Sequence, residues 1–368
     1  MKRLESLDAL RGFDMFFIMG GAGLIAAIAA FFPENAAWQV VGEQMHHVGW
    51  DGLAHHDTIF PLFLFIAGVS FPFSLSKQKA SGKSMGSIYR KIVIRGLLLI
   101  FFGWVYNGFL NFDFAHLRLC SVLGRIGSAW MFGALLFCAV KDWKKLVGIM
   151  LFILVGYWLV SAYCPSPLAN GADPLSLEGN LSCYLDVKVL GSNCMCDKYD
   201  AEGLLSTLPA ICTALLGMLS GVWIKHEAAN ITPSKKALGL LVAGIVLAII
   251  GWAWGLAYPI NKRLWSSTFV CAVAGYSLIM LSLFYYIIDV KGWKKWDFFF
   301  KVIGMNSITI YLGQSFIPFG SISQRIFPGC VSLFPAEWEG VMWEIAYIVT
   351  CWIFLYILYR KKIFLKVG

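Results

Sequence analysis

Four of the six histidines in this 368-residue chain stand in one stretch, EQMHHVGWDGLAHHD, residues 43–57, and an almost unbroken apolar run follows over residues 58–75. That much titratable chemistry at the mouth of a hydrophobic segment fits a metal site, a proton path or a base for acyl transfer. His46/His47 and His55/His56 are adjacent pairs, whose members diverge by about 100° on a helix and point to opposite faces on a strand. Chelating histidines usually stand three or four apart, so no metal is expected. Gly49, Trp50 and Gly52 give HHVGWDGL the composition of a tight, folded-in loop. His47 is therefore the candidate base, and His46, His55 and His56 read as caps of an exposed loop. Asp57, at the threshold of the apolar run, has two readings. It could orient an imidazole and favour its charged form, or it could act as the N-cap of the helix that follows.

Charges inside apolar runs are costly and are candidates for function. Asp8, Arg11 and Asp14 in LDALRGFDMFF are three apart, on one helical face, and read as a self-neutralising acid–base–acid trio. Arg95 interrupts IVIRGLLLIFF five residues after Arg90, and Arg118 and Arg125 flank the next apolar run. Asn306 and Ser307 open another, with Gln314 near the same face as Asn306. Single groups of this kind glue helices together. Spread over several segments, they point to a polar cavity crossing a bilayer.

The elements that must hold these residues are membrane helices. Hydrophobic residues make up 59% of the chain and charged residues 14%, with mean hydropathy +0.70, against about 25% charged in soluble domains. The expected fold is all-α and polytopic. Its ten spans fall near 12–32, 58–76, 92–110, 121–140, 146–163, 204–224, 237–257, 266–289, 302–319 and 340–359, each of roughly the length a bilayer requires. An even number places both termini on one side. Of the 30 Lys and Arg, 23 fall in the connectors of that side and seven on the other. The positive-inside rule makes the richer side cytoplasmic, so the net charge of +9 reports topology and not nucleic-acid binding. No cleavable signal peptide is evident. The histidine stretch then lies outside, as does the longest connector, residues 164–203. That loop carries Cys164, Cys183, Cys194 and Cys196, where at least one disulfide is expected. The C-x-C spacing of the last two argues against zinc. There is no internal repeat, so residues 1–368 read as a single membrane domain containing that loop.

The motifs SLDALRGFD, HHVGWDGLAHHDTIFPLFLFIAGVS, RLCSVLGRIG, YDAEGLLSTLPAICTALLG, NKRLWSSTFV and GMNSITIYLGQ follow one another in that order. Together they resemble the heparan-α-glucosaminide N-acetyltransferase family, specifically its bacterial relatives that lack the animal luminal domain. The resemblance implies transfer of acetyl from cytoplasmic acetyl-CoA to the amine of a glucosamine-type sugar on the far side of a bacterial inner membrane. It places the family's active histidine on His47, its aspartate before x-x-F-P on Asp57 and its G-M-N-S-I asparagine on Asn306. The first span departs from the animal pattern: MGGAGL, residues 19–24, has no side-chain amide where animal members carry an asparagine. An oxyanion donor there would be a backbone N–H, which the glycines permit.

An imidazole suits deprotonation of a partly protonated sugar amine. The CoA phosphates call for cations, and the candidates are Arg3, Arg11, Arg90, Arg95 and Arg125, with Lys91 beside them. Direct transfer with His47 as general base and transfer through an acetylated His47 both fit; direct transfer is preferred. The acceptor is left open among free glucosamine, a glycan fragment and a cell-wall sugar, and a homodimer is left open too. The main rival is an amino-sugar transporter that makes no bond, although the halves lack the repeated hydropathy usual in transporters. A structural or sensory membrane protein is the third reading.

Overall fold

The computed structural model describes residues 4–365 and 367, so Arg3 lies outside the described residues. Apart from one isolated bridge between Pro165 and Asn180, its regular structure is helical. The helices are α1 (Glu5–Phe16), α2 (Ala22–Ala29), α3 (Ala36–Glu43), α4 (His55–Ala80), α5 (Met85–Tyr106), α6 (Val122–Ala139), α7 (Trp143–Tyr163) and α8 (Leu181–Leu190). They continue as α9 (Thr207–Lys225), α10 (Pro233–Gly255), α11 (Ser267–Phe284), α12 (Phe298–Gly304), α13 (Ser307–Phe316), α14 (Phe319–Ile326), α15 (Pro328–Val331) and α16 (Glu339–Arg360). Short polar side chains start several of them: Ser84, Ser121, Asp142 and Thr232 each accept a first-turn N–H, supplying a partner for a donor the helix itself cannot satisfy.

Among the described residues, eight helical segments are long and apolar enough to cross a membrane. The protein is thus an all-α, polytopic membrane protein. The other two expected spans take different forms. The third is α5, a continuous helix that carries Arg90, Lys91 and Arg95 along its length. The ninth is broken at Met305–Asn306 into α12 and α13, because Asn306 has φ −127° and ψ 29°.

Two compact units organise the chain. Among the described residues, one gathers 4–48, Ala54–Ile59 and 283–365, and the other Gly49–Leu53, Phe60–Ser282 and Val367. In the first unit α1 and α12 touch backbone to backbone. A Cβ on Gly12 would stand 1.7 Å from the Phe300 carbonyl oxygen, and one on Gly304 would stand 1.9 Å from that of Asp8. Small residues allow this approach, the usual means of helix packing in membranes, and Phe13, Phe16 and Phe300 seal it with edge-on ring contacts. Gly12→Ala should push the helices apart and cost about 1–3 kcal/mol, read as a lowered melting temperature in detergent. An unchanged melting temperature would show that the contact is dispensable.

In the second unit α9 lies against α4 in the same way. A Cβ at Gly217 would meet the Phe65 carbonyl oxygen at 2.1 Å, and one at Gly221 would meet that of Val69 at 2.4 Å. Phe71, Trp130, Trp265 and Phe269 fill the core around this pair.

Candidate active site

His47 and Asp57 meet in the first unit. The Nδ1 of His47 is 2.7 Å from Oδ1 of Asp57, whose side chain is 2% exposed while that of His47 is 55% exposed. The other carboxylate oxygen accepts the backbone N–H groups of Val48 (3.2 Å) and Ala54 (3.3 Å). Asp57 is therefore not the N-cap that the sequence allowed. It sits in the first turn of α4 and reaches back to the N–H preceding the helix, the return half of a capping box. One side chain thus starts the helix and holds the imidazole.

The neighbouring histidines are more ordered than a loop cap would be. Gln44 accepts the His55 N–H on its side chain (2.9 Å) and the His56 N–H on its carbonyl (3.0 Å). The His55 ring lies 4.3 Å from that of Phe17, and the His56 ring 4.5 Å from that of His47. His46 is exposed. Among the described residues no group of three or more His, Cys, Asp or Glu is assembled to hold a metal ion.

The first span is not a continuous α-helix. Between α1 and α2 the turn Phe17–Gly21 is π-helical, with Met19 at ψ 18° and Gly20 at φ 112°. Only glycine takes that φ without strain, and such turns inside helices frequently mark functional sites. Gln314 of α13 donates to the Ile18 carbonyl (3.3 Å) and to the Tyr347 hydroxyl (2.9 Å), so it supports the break. The Glu344 carboxyl group packs over Gly23, 2.8 Å from where a Cβ would be. Sequence reasoning noticed Gln314 but missed Tyr347 and Glu344. An acid in the otherwise apolar start of the tenth span, GVMWEIAYIVT, was the available signal.

Asn306 is not brought to the histidine. Its amide donates to the Ile363 carbonyl (3.2 Å) and accepts from Thr309 (3.3 Å), which holds the α12–α13 break. Because Phe300 faces Gly12 and Gly304 faces Asp8, α12 runs antiparallel to α1, and Asn306 lies beyond the level of Asp8. Phe17, under the His55 ring, is nine residues the other way along the span, about 14 Å. The acid–base–acid trio is also corrected. Arg11 pairs with Asp8 at 3.6 Å, whereas Oδ2 of Asp14 is buried with no hydrogen-bond partner among the described residues.

The remaining arginines have separate surroundings in the second unit. Arg95 lies 4.4 Å over the Trp130 ring. It shares a cavity with Lys91, one helical turn away, while Arg90 is exposed and does not line it. The side chains that meet on a helix are three or four apart, not five. Arg125 is buried over the Trp265 ring (5.0 Å), donates to the Gly203 carbonyl (3.0 Å), and contacts Ser206. Arg118 makes a two-pronged pair with Asp200 (3.1 and 2.6 Å) and also contacts Glu202. The motifs RLCSVLGRIG, YDAEGLLSTLPAICTALLG and NKRLWSSTFV therefore assemble into one polar network. The residues that follow His47 are anchored in this unit as well. Trp50 Nε1 donates to the Leu175 carbonyl (3.0 Å), and Asp51 accepts the Ile260 N–H (2.8 Å).

This network corrects the expected disulfide. Cys164, Cys183, Cys194 and Cys196 are free thiols. The long loop is held by the Arg118 cluster and by Asn193, whose amide donates to the carbonyls of Phe114 (2.9 Å) and Leu117 (2.8 Å). Cys183 is buried in α8, and Cys164 is exposed at the end of α7.

Within the same loop, burial pushes the Asp186 carboxyl up to about 6, although it accepts the Leu204 N–H at 2.8 Å. A carboxyl raised in the folded state favours folding below its unfolded value of about 3.9, and that contribution is lost as pH rises through about 6. The protection factors for hydrogen exchange in residues 164–203, taken relative to the intrinsic exchange rate at each pH, should therefore be larger at pH 4.5 than at pH 7, and Asp186→Asn should flatten the difference. Equal pH dependence in the variant would assign the effect to another group.

Fold and site define a membrane protein with a carboxylate-oriented histidine at the start of a membrane helix. The family described as "Domain of unknown function (DUF5009)" matches residues 3–113. Over 431 aligned positions, covering 99% of this chain, the chain is 26% identical to heparan-alpha-glucosaminide N-acetyltransferase of Mus musculus and to that of Homo sapiens. It spans 61% and 60% of those relatives' lengths, respectively. The chain is a distant relative of that membrane acetyltransferase along essentially all of its own length.

Proposed function

We propose that the protein is a membrane N-acetyltransferase that moves acetyl from acetyl-CoA to the amine of a glucosamine-type sugar. The observation that carries this reading is the His47–Asp57 pair. With one Asp57 oxygen already accepting two backbone N–H groups, the other takes the His47 Nδ1–H. That arrangement assigns the proton-accepting role to Nε2 of a side chain that is 55% exposed, the division of labour a general base needs. In the direct reaction, the acceptor amine attacks the thioester carbonyl as Nε2 takes its proton. The carbon–nitrogen bond forms, the carbon–sulfur bond breaks, and the proton passes from His47 to the departing CoA thiolate. An acetyl-His47 intermediate is the alternative course of the same chemistry.

The distant relationship to a named N-acetyltransferase supports the reaction class. In this proposal both termini are cytoplasmic, in the inner membrane of a bacterium, with His47 toward the periplasm. The amide of Asn306 keeps the α12–α13 break in place. Membrane vesicles carrying the protein should convert labelled acetyl-CoA and glucosamine into N-acetylglucosamine. Sugar uptake with no acetylated product would replace the enzyme reading with a transporter.

A further inference from the structure

Glu344 is not used in proton transfer at His47, and its own packing does not account for its charge. It lies half-buried within the span Ala336–Arg360, and among the described residues it forms no ion pair and no hydrogen bond. An acid inside a membrane span is costly. The start of α16 does not explain it, because Glu339 already occupies the first turn and the pull of a helix N-terminus fades beyond that turn. The carboxyl group instead lies flat against α2. A Cβ on Gly23 would stand 2.8 Å from its Cδ, 2.8 Å from Oε2 and 2.9 Å from Oε1. Only a residue without a side chain offers that floor.

The floor belongs to the stretch of the first span that the histidine segment brackets. Gly42, before the histidines, packs on Ala29, whose Cβ is 3.3 Å from where a Gly42 Cβ would be. His55, at the other end of the segment, packs on Phe17. Gly23 is six residues from each of these contacts, about 9 Å along a helix. One turn beyond Glu344, the Tyr347 ring closes over Gly20 at the π-helical turn, and Gln314 donates to the Tyr347 hydroxyl (2.9 Å). All these residues lie in the first unit. The carboxylate is therefore within the depth spanned by the segment that carries His47, beside polar groups of the kind that suit sugar hydroxyls.

We propose that Glu344 binds the ammonium group of the acceptor amino sugar. This rests on the acetyltransferase reading and names the charge that selects its acceptor. A sugar amine is partly protonated near neutral pH, and the protonated form is the one that a carboxylate attracts. A divalent metal ion would ask for several oxygen ligands, whereas one carboxylate suits one ammonium. Glucose and N-acetylglucosamine lack the charge, so the acceptor is held and the acetylated product is let go. Glu344 is an acceptor-binding residue, and bond making stays with His47.

Binding and turnover are measured separately, so failure of this inference is distinguishable from failure of the acetyltransferase reading. Purified protein in a neutral detergent would be titrated with glucosamine, with glucose and N-acetylglucosamine as uncharged controls. Glucosamine should bind more tightly than either control. Its affinity should fall at least about tenfold in Glu344→Gln, the scale of a charge-assisted contact. In membrane vesicles the same variant should raise the KM for glucosamine at least about tenfold, with kcat changed less and the KM for acetyl-CoA unmoved. Glu344→Asp, which keeps the charge, should recover part of the loss. Gly23→Ala, which puts a methyl group where the carboxyl lies, should also raise the glucosamine KM. A structural role for Glu344 would instead lower stability and kcat and leave the glucosamine KM unchanged. Unchanged glucosamine binding in Glu344→Gln overturns the proposal even where acetyl transfer is intact. So does equal binding of glucosamine and glucose by the parent protein, an outcome that needs no variant to fold. Glucosamine binding that depends on Glu344, with no acetylated product, leaves the ammonium site standing and removes the acetyltransferase reading.

Discussion

His47→Ala should insert and fold like the parent protein and transfer acetyl at least about a hundredfold more slowly, the usual scale of a lost general base. The variant removes an imidazole whose Nδ1 is held at 2.7 Å by a buried carboxylate. Little of the fold depends on that ring, which is more than half exposed. The Asp57 contacts to Val48 and Ala54 that start α4 are made by another oxygen and survive. The neighbouring histidines provide the internal comparison. His46→Ala should have the smallest effect, because His46 is exposed and lies outside the cluster. His55→Ala and His56→Ala should cost less than His47→Ala, since they remove packing against Phe17 and His47 and not the held nitrogen. Any ascending limb of the pH–rate profile that belongs to this imidazole should vanish in His47→Ala alone. Parent-like turnover in that variant, with another histidine variant inactive, would move the base elsewhere in the cluster.

Arg118→Ala should have the largest effect on stability, about 3–5 kcal/mol, the scale for removing one partner of a buried ion pair. Asp200 and Glu202 are buried and share the one guanidinium, with Asp200 also accepting the backbone N–H groups of Met195 and Glu202. Removing it leaves two carboxylates close together without their cation, at the point where the long loop joins α9. The expected readout is a lower melting temperature with early proteolysis in residues 164–203. Arg118→Lys should recover only part of the loss, because an ammonium cannot make both contacts to Asp200. Arg118→Ala combined with Asp200→Asn and Glu202→Gln should be more stable than Arg118→Ala alone, since the uncompensated charge is gone. Parent-like melting of Arg118→Ala would show that the loop is held by its other bonds.

The chain by itself determined its class and the neighbourhood of its chemistry. Runs of about twenty apolar residues have few physical outcomes other than membrane helices, because only a helix satisfies its own backbone in lipid. The His47–Asp57 pair was legible because it is local: ten residues separate the two, and the turn of α4 closes the distance. The glycines of MGGAGL were legible only as room for a backbone donor; that the first span breaks there, with Gly20 at φ 112°, appears in the structure alone. What the sequence left open depends on distance along the chain. Gln314 supports a carbonyl 296 residues away, and Arg118 finds Asp200 across 82 residues; no periodicity encodes such partners. Asn306 has the residue type and motif of a site group, yet packing of α12 against α1 carries it beyond the level of Asp8 and gives its amide to Ile363. The thiols of the long loop stay free while a guanidinium and an asparagine amide hold it. Local composition decides what each segment is, but which polar groups meet is decided only when helices distant in sequence pack and each buried charge must find a partner.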